Sequence, residues 1–129
     1  MKEIPIGTSC TTTGVVAEGD TAAVLGSGDL LVLGTPALAA WMENAAMRAI
    51  APFLTFGSES SVGTALQMTH ERASRIGAQI RATATVTAVD GRRIDFTVSA
   101  VDDTGATVGR GTHTRFVIGI EKFMARIEK

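Results

Sequence analysis

The chain has 129 residues, with 12 Lys+Arg against 13 Asp+Glu for a net charge of -1, and 45% of it is hydrophobic. That size supports one core, so residues 1–129 read as a single domain, and the near-neutral, scattered charge excludes a nucleic-acid surface. A single Cys10 excludes an internal disulfide and a multi-cysteine metal site, and fits a reducing cytoplasm.

In chain order, the first residues, Met1-Lys2-Glu3-Ile4-Pro5-Ile6-Gly7, lack the apolar core of a signal peptide. No window approaches the about 20 apolar residues of a membrane span, so neither a membrane nor nucleic acid is expected as a partner. Residues 9–18 are rich in Thr and Val and read as a strand, and residues 21–25 as a short second one. Gly26-Ser27-Gly28-Asp29 is a turn; it lacks the Lys and the strand-turn-helix setting of a phosphate loop.

The next segment is helical. Thr35 suits the N-cap and Pro36 the first helical position. Leu38, Trp41, Met42, Ala45, Ala46, Ala49, Ile50 and Phe53 then recur on one face. Glu43 falls at the margin of that stripe, at about 100° per residue, and an ionisable group there needs a partner or a task. Pro52 stops the helix and Gly57-Ser58 opens a loop.

Beyond the loop the period becomes two. Val62, Thr64, Leu66, Met68 and His70 share a face, and Ile80, Ala82, Ala84, Val86 and Ala88 share another. Asp90-Gly91 is a hairpin turn, followed by Ile94, Phe96, Val98 and Ala100, a second turn at Asp102-Asp103-Thr104-Gly105, and a last strand over residues 106–120. The expected architecture is α+β: one long helix wrapped by an antiparallel sheet, with the strands after the helix forming a four-strand meander. Residues 61–69 carry little charge. At a sheet edge they would be unprotected, and pairing with a second copy across a two-fold axis would cover them.

Taken singly, the reactive residues have ordinary explanations. Glu43 can be a helix-flank carboxylate bonded to an amide, Thr35 an N-cap, His70 a satisfied core histidine, and Arg115 one half of an ion pair. His113 reads as structural, Trp41 and Met42 as core, and Glu121-Lys122 as a solvated end. Together they carry a resemblance. Gly34-Thr35 precedes Glu43, Ser61-Val62-Gly63-Thr64-Ala65 precedes His70, and Gly111-Thr112-His113-Thr114-Arg115 precedes Glu121-Lys122-Phe123. From about Ile6 to Ile127 this order resembles the hot-dog thioesterases, and within them the fluoroacetyl-CoA thioesterase-like branch.

The resemblance implies a hot-dog fold whose sheet continues across a homodimer, with a tetramer left open. It implies hydrolysis of an acyl-CoA at the subunit interface, without cofactor or metal. It assigns catalysis to Thr35, Glu43 and His70, with the Gly63 N–H on the thioester oxygen and Arg115 lining the pocket or holding the substrate. The chemistry agrees: a thioester requires a base or nucleophile, a group that exchanges protons near neutrality, and a dipole for the oxyanion. The branch's specialised member carries an aromatic-rich insert ahead of its threonine. Here residues 26–33 hold no aromatic, so a small or medium acyl group is expected, with preference for a fluorinated one left open. Two other readings stand beside this one. One is a non-catalytic acyl-CoA or small-ligand binding protein on the same fold. The other is a hot-dog hydratase, whose Asp-and-His helix motif is not found here.

Overall fold

The computed structural model describes residues 1–128. Five strands, β1 (Ser9–Val15), β2 (Glu59–His70), β3 (Gln79–Asp90), β4 (Arg93–Asp102) and β5 (Thr107–Gly119), form one antiparallel sheet. Its order is β1-β3-β4-β5-β2. A short helix, α1 (Ala22–Leu25), a long helix, α2 (Thr35–Ile50), and a last helix, α3 (Ile120–Ile127), complete the chain.

The helix α2 forms where the apolar spacing demanded it. Leu38, Met42, Ala45, Ala46 and Ile50 are fully buried against Ile80, Ala84, Val86, Ile94, Phe96 and Val108 of the sheet. Each large side chain so buried contributes about 1.5–3 kcal/mol. Trp41 is half-buried and lies over Gly14 of β1. Gly109 on β5 has no room for a side chain, because a Cβ there would stand 2.6 Å from the Thr69 carbonyl oxygen and 3.1 Å from Leu38. The absent side chain lets the first half of α2 settle onto the sheet.

Four expectations change. Residues 21–25 hold a helical turn, α1, rather than a strand, because Thr21 caps it by accepting from the Val24 amide and Gly26 closes it with a φ of 78°. The first strand ends at Val15, and Glu18–Asp20 form a 3₁₀ turn. The strands after the helix are not a four-strand meander: β3, β4 and β5 follow one another, whereas β2 joins β5 and β1 joins β3. Twelve residues of β2 have no tight turn into β3, so residues 71–78 carry the chain back across the sheet. The charged tail after Gly119 is helical over Ile120–Ile127.

The strand β2 occupies a sheet edge, with β5 on one side only. A bulge between Gly63 and Ala65 shifts its phase. Ser61 is buried before it, and Leu66, Met68 and His70 are half-buried after it. The extra residue therefore lets odd positions face the helix at one end of the strand and even positions at the other.

Candidate active site

The Thr35 hydroxyl does not cap α2. Gly34 is the N-cap, Thr35 and Pro36 open the helix, and no side chain caps it. The hydroxyl instead lies 2.8 Å from Nδ1 of His70, the last residue of β2. The other ring nitrogen of His70, Nε2, is shielded from water and makes no hydrogen bond among the described residues. Burial lowers the pKa of His70 below its ordinary 6.5, with the Arg72 backbone opposing that shift. At neutral pH the ring is therefore uncharged, a proton acceptor held by one nitrogen. A cavity of about 240 Å³ lined by Val32, Leu33, His70, Glu71, Arg72 and Ala73 opens beside it.

A second cluster forms where β2 and β5 cross the middle of α2. Gly63 is paired with Arg115, and Leu66 with His113. Arg115 is only 7% exposed. Its Nε donates to the Ser61 hydroxyl at 2.9 Å, its Nη2 to the Ser61 carbonyl at 2.9 Å, and its Nη1 lies 3.2 Å from Nε2 of His113. His113 Nδ1 is 2.7 Å from the Ala65 carbonyl, which can only accept. Nδ1 therefore carries the proton, Nε2 accepts from Arg115, and the imidazole is neutral. Burial lowers the pKa of His113, the Ala65 carbonyl opposes this, Arg115 adds to it and Glu43 opposes it.

The Arg115 guanidinium, so held, points at Glu43: Nη1 stands 3.9 Å from Oε2, an ion pair without a hydrogen bond. The Glu43 side chain keeps 42% of its surface exposed, and no hydrogen bond occupies its oxygens among the described residues. A Cβ on residue 63 would stand 2.7 Å from Oε2 and 3.0 Å from the His113 ring, so only glycine leaves that carboxylate room. The helix-flank reading of Glu43, bonded to an amide, is not what the geometry has.

The five predicted residues thus fall into two groups. Thr35 and His70 meet, and Glu43, Gly63 and Arg115 meet. Eight residues of α2 separate Thr35 from Glu43, about 12 Å along the axis, so one protomer does not join the groups. Two residues gain importance that sequence reasoning did not give them, Ser61 and His113, which hold Arg115 in place. The cross-strand register that aligns them has no signal in the sequence pattern.

The sequence profile of the fluoroacetyl-CoA-specific thioesterase family matches residues 16–121. The chain belongs to that family. A fluoroacetyl-CoA thioesterase of Streptantibioticus cattleyicolor is 42% identical over 98 residues, 76% of this chain and 69% of that protein. A point mutant of the fluoroacetyl-CoA thioesterase in complex with acetyl-CoA is 35% identical, with a TM-score of 0.90 over 96% of both chains. A hot-dog-like protein from Thermanaerovibrio acidaminovorans shares the fold at 24% identity, with a TM-score of 0.85 over 96% of this chain and 90% of that one. The long helix on a five-strand antiparallel sheet is the hot-dog fold. In this member of the thioesterase family the segment ahead of Thr35 presents aliphatic groups instead of aromatic ones: Leu30 is 65% exposed and Leu31 59%.

Both histidines have folded-state pKa values below the ordinary 6.5, so the unfolded chain takes up protons first as pH falls. Stability from their neutral burial is complete above about pH 6.5 and is lost as pH drops through 6.5 toward the folded values, by about 1.4 kcal/mol per pH unit for each ring. Glu71, held at about 2 by its hydrogen bond from Arg110 and then by Thr69, loses its contribution only at much lower pH. Urea midpoints measured from pH 7.5 to 5 should therefore decline; a flat profile would contradict the neutral assignment.

Proposed function

We propose that this protein is an acyl-CoA thioesterase whose active site is assembled from two subunits: Thr35 and His70 from one, and Glu43, Gly63 and Arg115 from the other. The observation that carries this reading is the division of the reactive residues into two clusters about 12 Å apart on one helix, with the edge strand β2 running between them. Antiparallel pairing of β2 with its own copy covers that edge. A register that sets Gly63 against His70 of the partner subunit puts the two-fold axis near Leu66 and Gln67, and brings the clusters together. Membership of the thioesterase family and the acetyl-CoA complex of a relative support an acyl-CoA substrate.

Glu43 takes a proton from water as the water oxygen attacks the thioester carbon, or its carboxylate attacks directly and water then cleaves the anhydride. The Gly63 N–H stabilises the oxyanion, and Arg115 orients the Glu43 carboxylate. When the C–S bond breaks, His70, oriented by Thr35, protonates the departing sulfur, which leaves as the CoA thiol. On the water route the proton is the one that Glu43 took and handed to the ring; on the direct route it is the ring's own N–H proton, which the ring regains from the water that cleaves the anhydride. The products are a free acid and CoA, and no cofactor or metal enters the scheme. The aliphatic segment ahead of Thr35, with Leu30 and Leu31 exposed, supports a small or medium acyl chain. Cytoplasmic residence fits the free Cys10; among the described residues no helix is long and apolar enough to cross a membrane.

Complementation tests the assembly. Glu43→Ala and His70→Ala are each inactive by thiol release, but a heterodimer of the two, purified through two tags, contains one intact site of two and recovers about half of wild-type turnover. An inactive heterodimer, or a wild type that sediments as a monomer at micromolar concentration, overturns the two-subunit site. A wild type that releases no CoA from any acyl-CoA leaves the non-catalytic binding reading in its place.

A further inference from the structure

The cavity beside His70 continues into a groove of about 410 Å³ lined by Arg72, Ser74, Arg75, Asp102, Asp103 and Thr104, among others. The two spaces share Val32, Arg72 and Ala73. Its walls are fixed. The Arg75 backbone bridges to Val32, and the Leu33 amide donates to the Ser74 carbonyl at 2.8 Å. These contacts tie the groove to the segment that enters α2 at Thr35. The groove therefore starts at the Thr35–His70 pair and runs away from it.

Its polar groups are unequally occupied. Asp102 accepts from the Thr104 amide and hydroxyl and from the Ala106 amide through one oxygen, and from Arg72 Nε at 3.0 Å through the other. That carboxylate is satisfied, and its pKa lies below the ordinary 3.8, chiefly through the Thr104 hydroxyl. Arg72 spends only Nε on it; the Nη atoms of its half-exposed side chain have no partner among the described residues. Among the described residues Arg75 donates only to the carbonyl of neighbouring Ile76, at 3.2 Å, and pairs with no carboxylate. Ser74 is 5% exposed, and its hydroxyl is buried without a hydrogen-bond partner among the described residues. Glu71 is taken by Arg110, with bonds of 2.8 and 2.9 Å. Among the described residues lining the groove, exposed Asp103 is the one opposing carboxylate not already paired.

Two guanidinium groups with spare donors and a buried orphan hydroxyl form an acceptor-seeking site for an anion bearing several oxygens. We propose that Arg72 and Arg75, with Ser74 beneath them, hold phosphate groups of the coenzyme A moiety while its thioester lies at His70. The inference rests on the thioesterase reading.

The test compares CoA with phosphate-free pantetheine. Calorimetry on wild type and Arg75→Ala should show CoA binding weakened about tenfold or more in the variant, with pantetheine binding unchanged. In the hydrolysis assay KM for acyl-CoA should rise by the same factor at constant kcat, while the same acyl group on pantetheine is turned over equally by both proteins. Added salt should weaken CoA binding more in wild type than in the variant. Arg75→Lys should restore part of the loss. Equal CoA binding in both proteins, or equal losses for CoA and pantetheine, overturns the clamp. If wild type binds CoA in this way yet hydrolyses no thioester, the thioesterase reading fails and the clamp stands.

Discussion

Glu43→Ala lowers thioester turnover by roughly 10²–10⁴-fold, the range for loss of a positioned base, while the circular dichroism spectrum and melting temperature stay close to wild type. The fold tolerates the change because the Glu43 side chain is 42% exposed and, among the described residues, its only ion pair is with Arg115, at 3.9 Å. Glu43→Gln separates charge from shape. It keeps the volume that fits above Gly63, where a Cβ would come within 2.7 Å, but removes the basic carboxylate, so it loses activity to the same degree. Turnover above a tenth of wild type in the glutamine variant would take both the base and the nucleophile roles away from this residue. The acyl-CoA panel and thiol-detecting assay that establish wild-type activity serve for both variants.

Arg115→Ala destabilises the protein by about 3 kcal/mol or more, a fall in melting temperature on the order of 10 °C. The side chain is 7% exposed, and its loss strands the Ser61 hydroxyl, the Ser61 carbonyl and Nε2 of His113 in the interior. Arg115→Lys keeps the charge but not the planar fork that meets both Ser61 acceptors, so it recovers only part of the stability. Activity falls further than stability requires, because Glu43 loses the cation that orients it. A variant that melts like wild type would show that the guanidinium is solvated rather than built into the β2–β5 crossing.

These two expectations differ in how far sequence could support them. Glu43 stands out in the linear text because a carboxylate interrupts an apolar helix, and helical periodicity is a local property. Arg115 acquires its role from partners at Ser61 and His113, and the pairing of Gly63 with Arg115 joins residues far apart in the chain. Pattern reasoning also assigned Thr35 to the helix cap, the local use of a threonine at that position. The structure gives the cap to Gly34 and the hydroxyl to His70. Residues 21–25 read as a strand from their own composition, yet capping by Thr21 and Gly26 closes them into a turn of helix.

The sequence by itself determined the long helix with its buried face, four of the strands near their observed limits, and the hairpin at Asp90-Gly91. All of these depend on local propensity and on spacing along the chain. Only the tertiary structure decided that β2 leaves the expected meander for the far edge beside β5, that a bulge at Gly63 turns both ends of that strand toward the helix, and that the five reactive residues separate into two clusters. Strand order and register are set by which faces can be buried together. That is a property of the packed molecule, and the same alternating pattern is compatible with several arrangements.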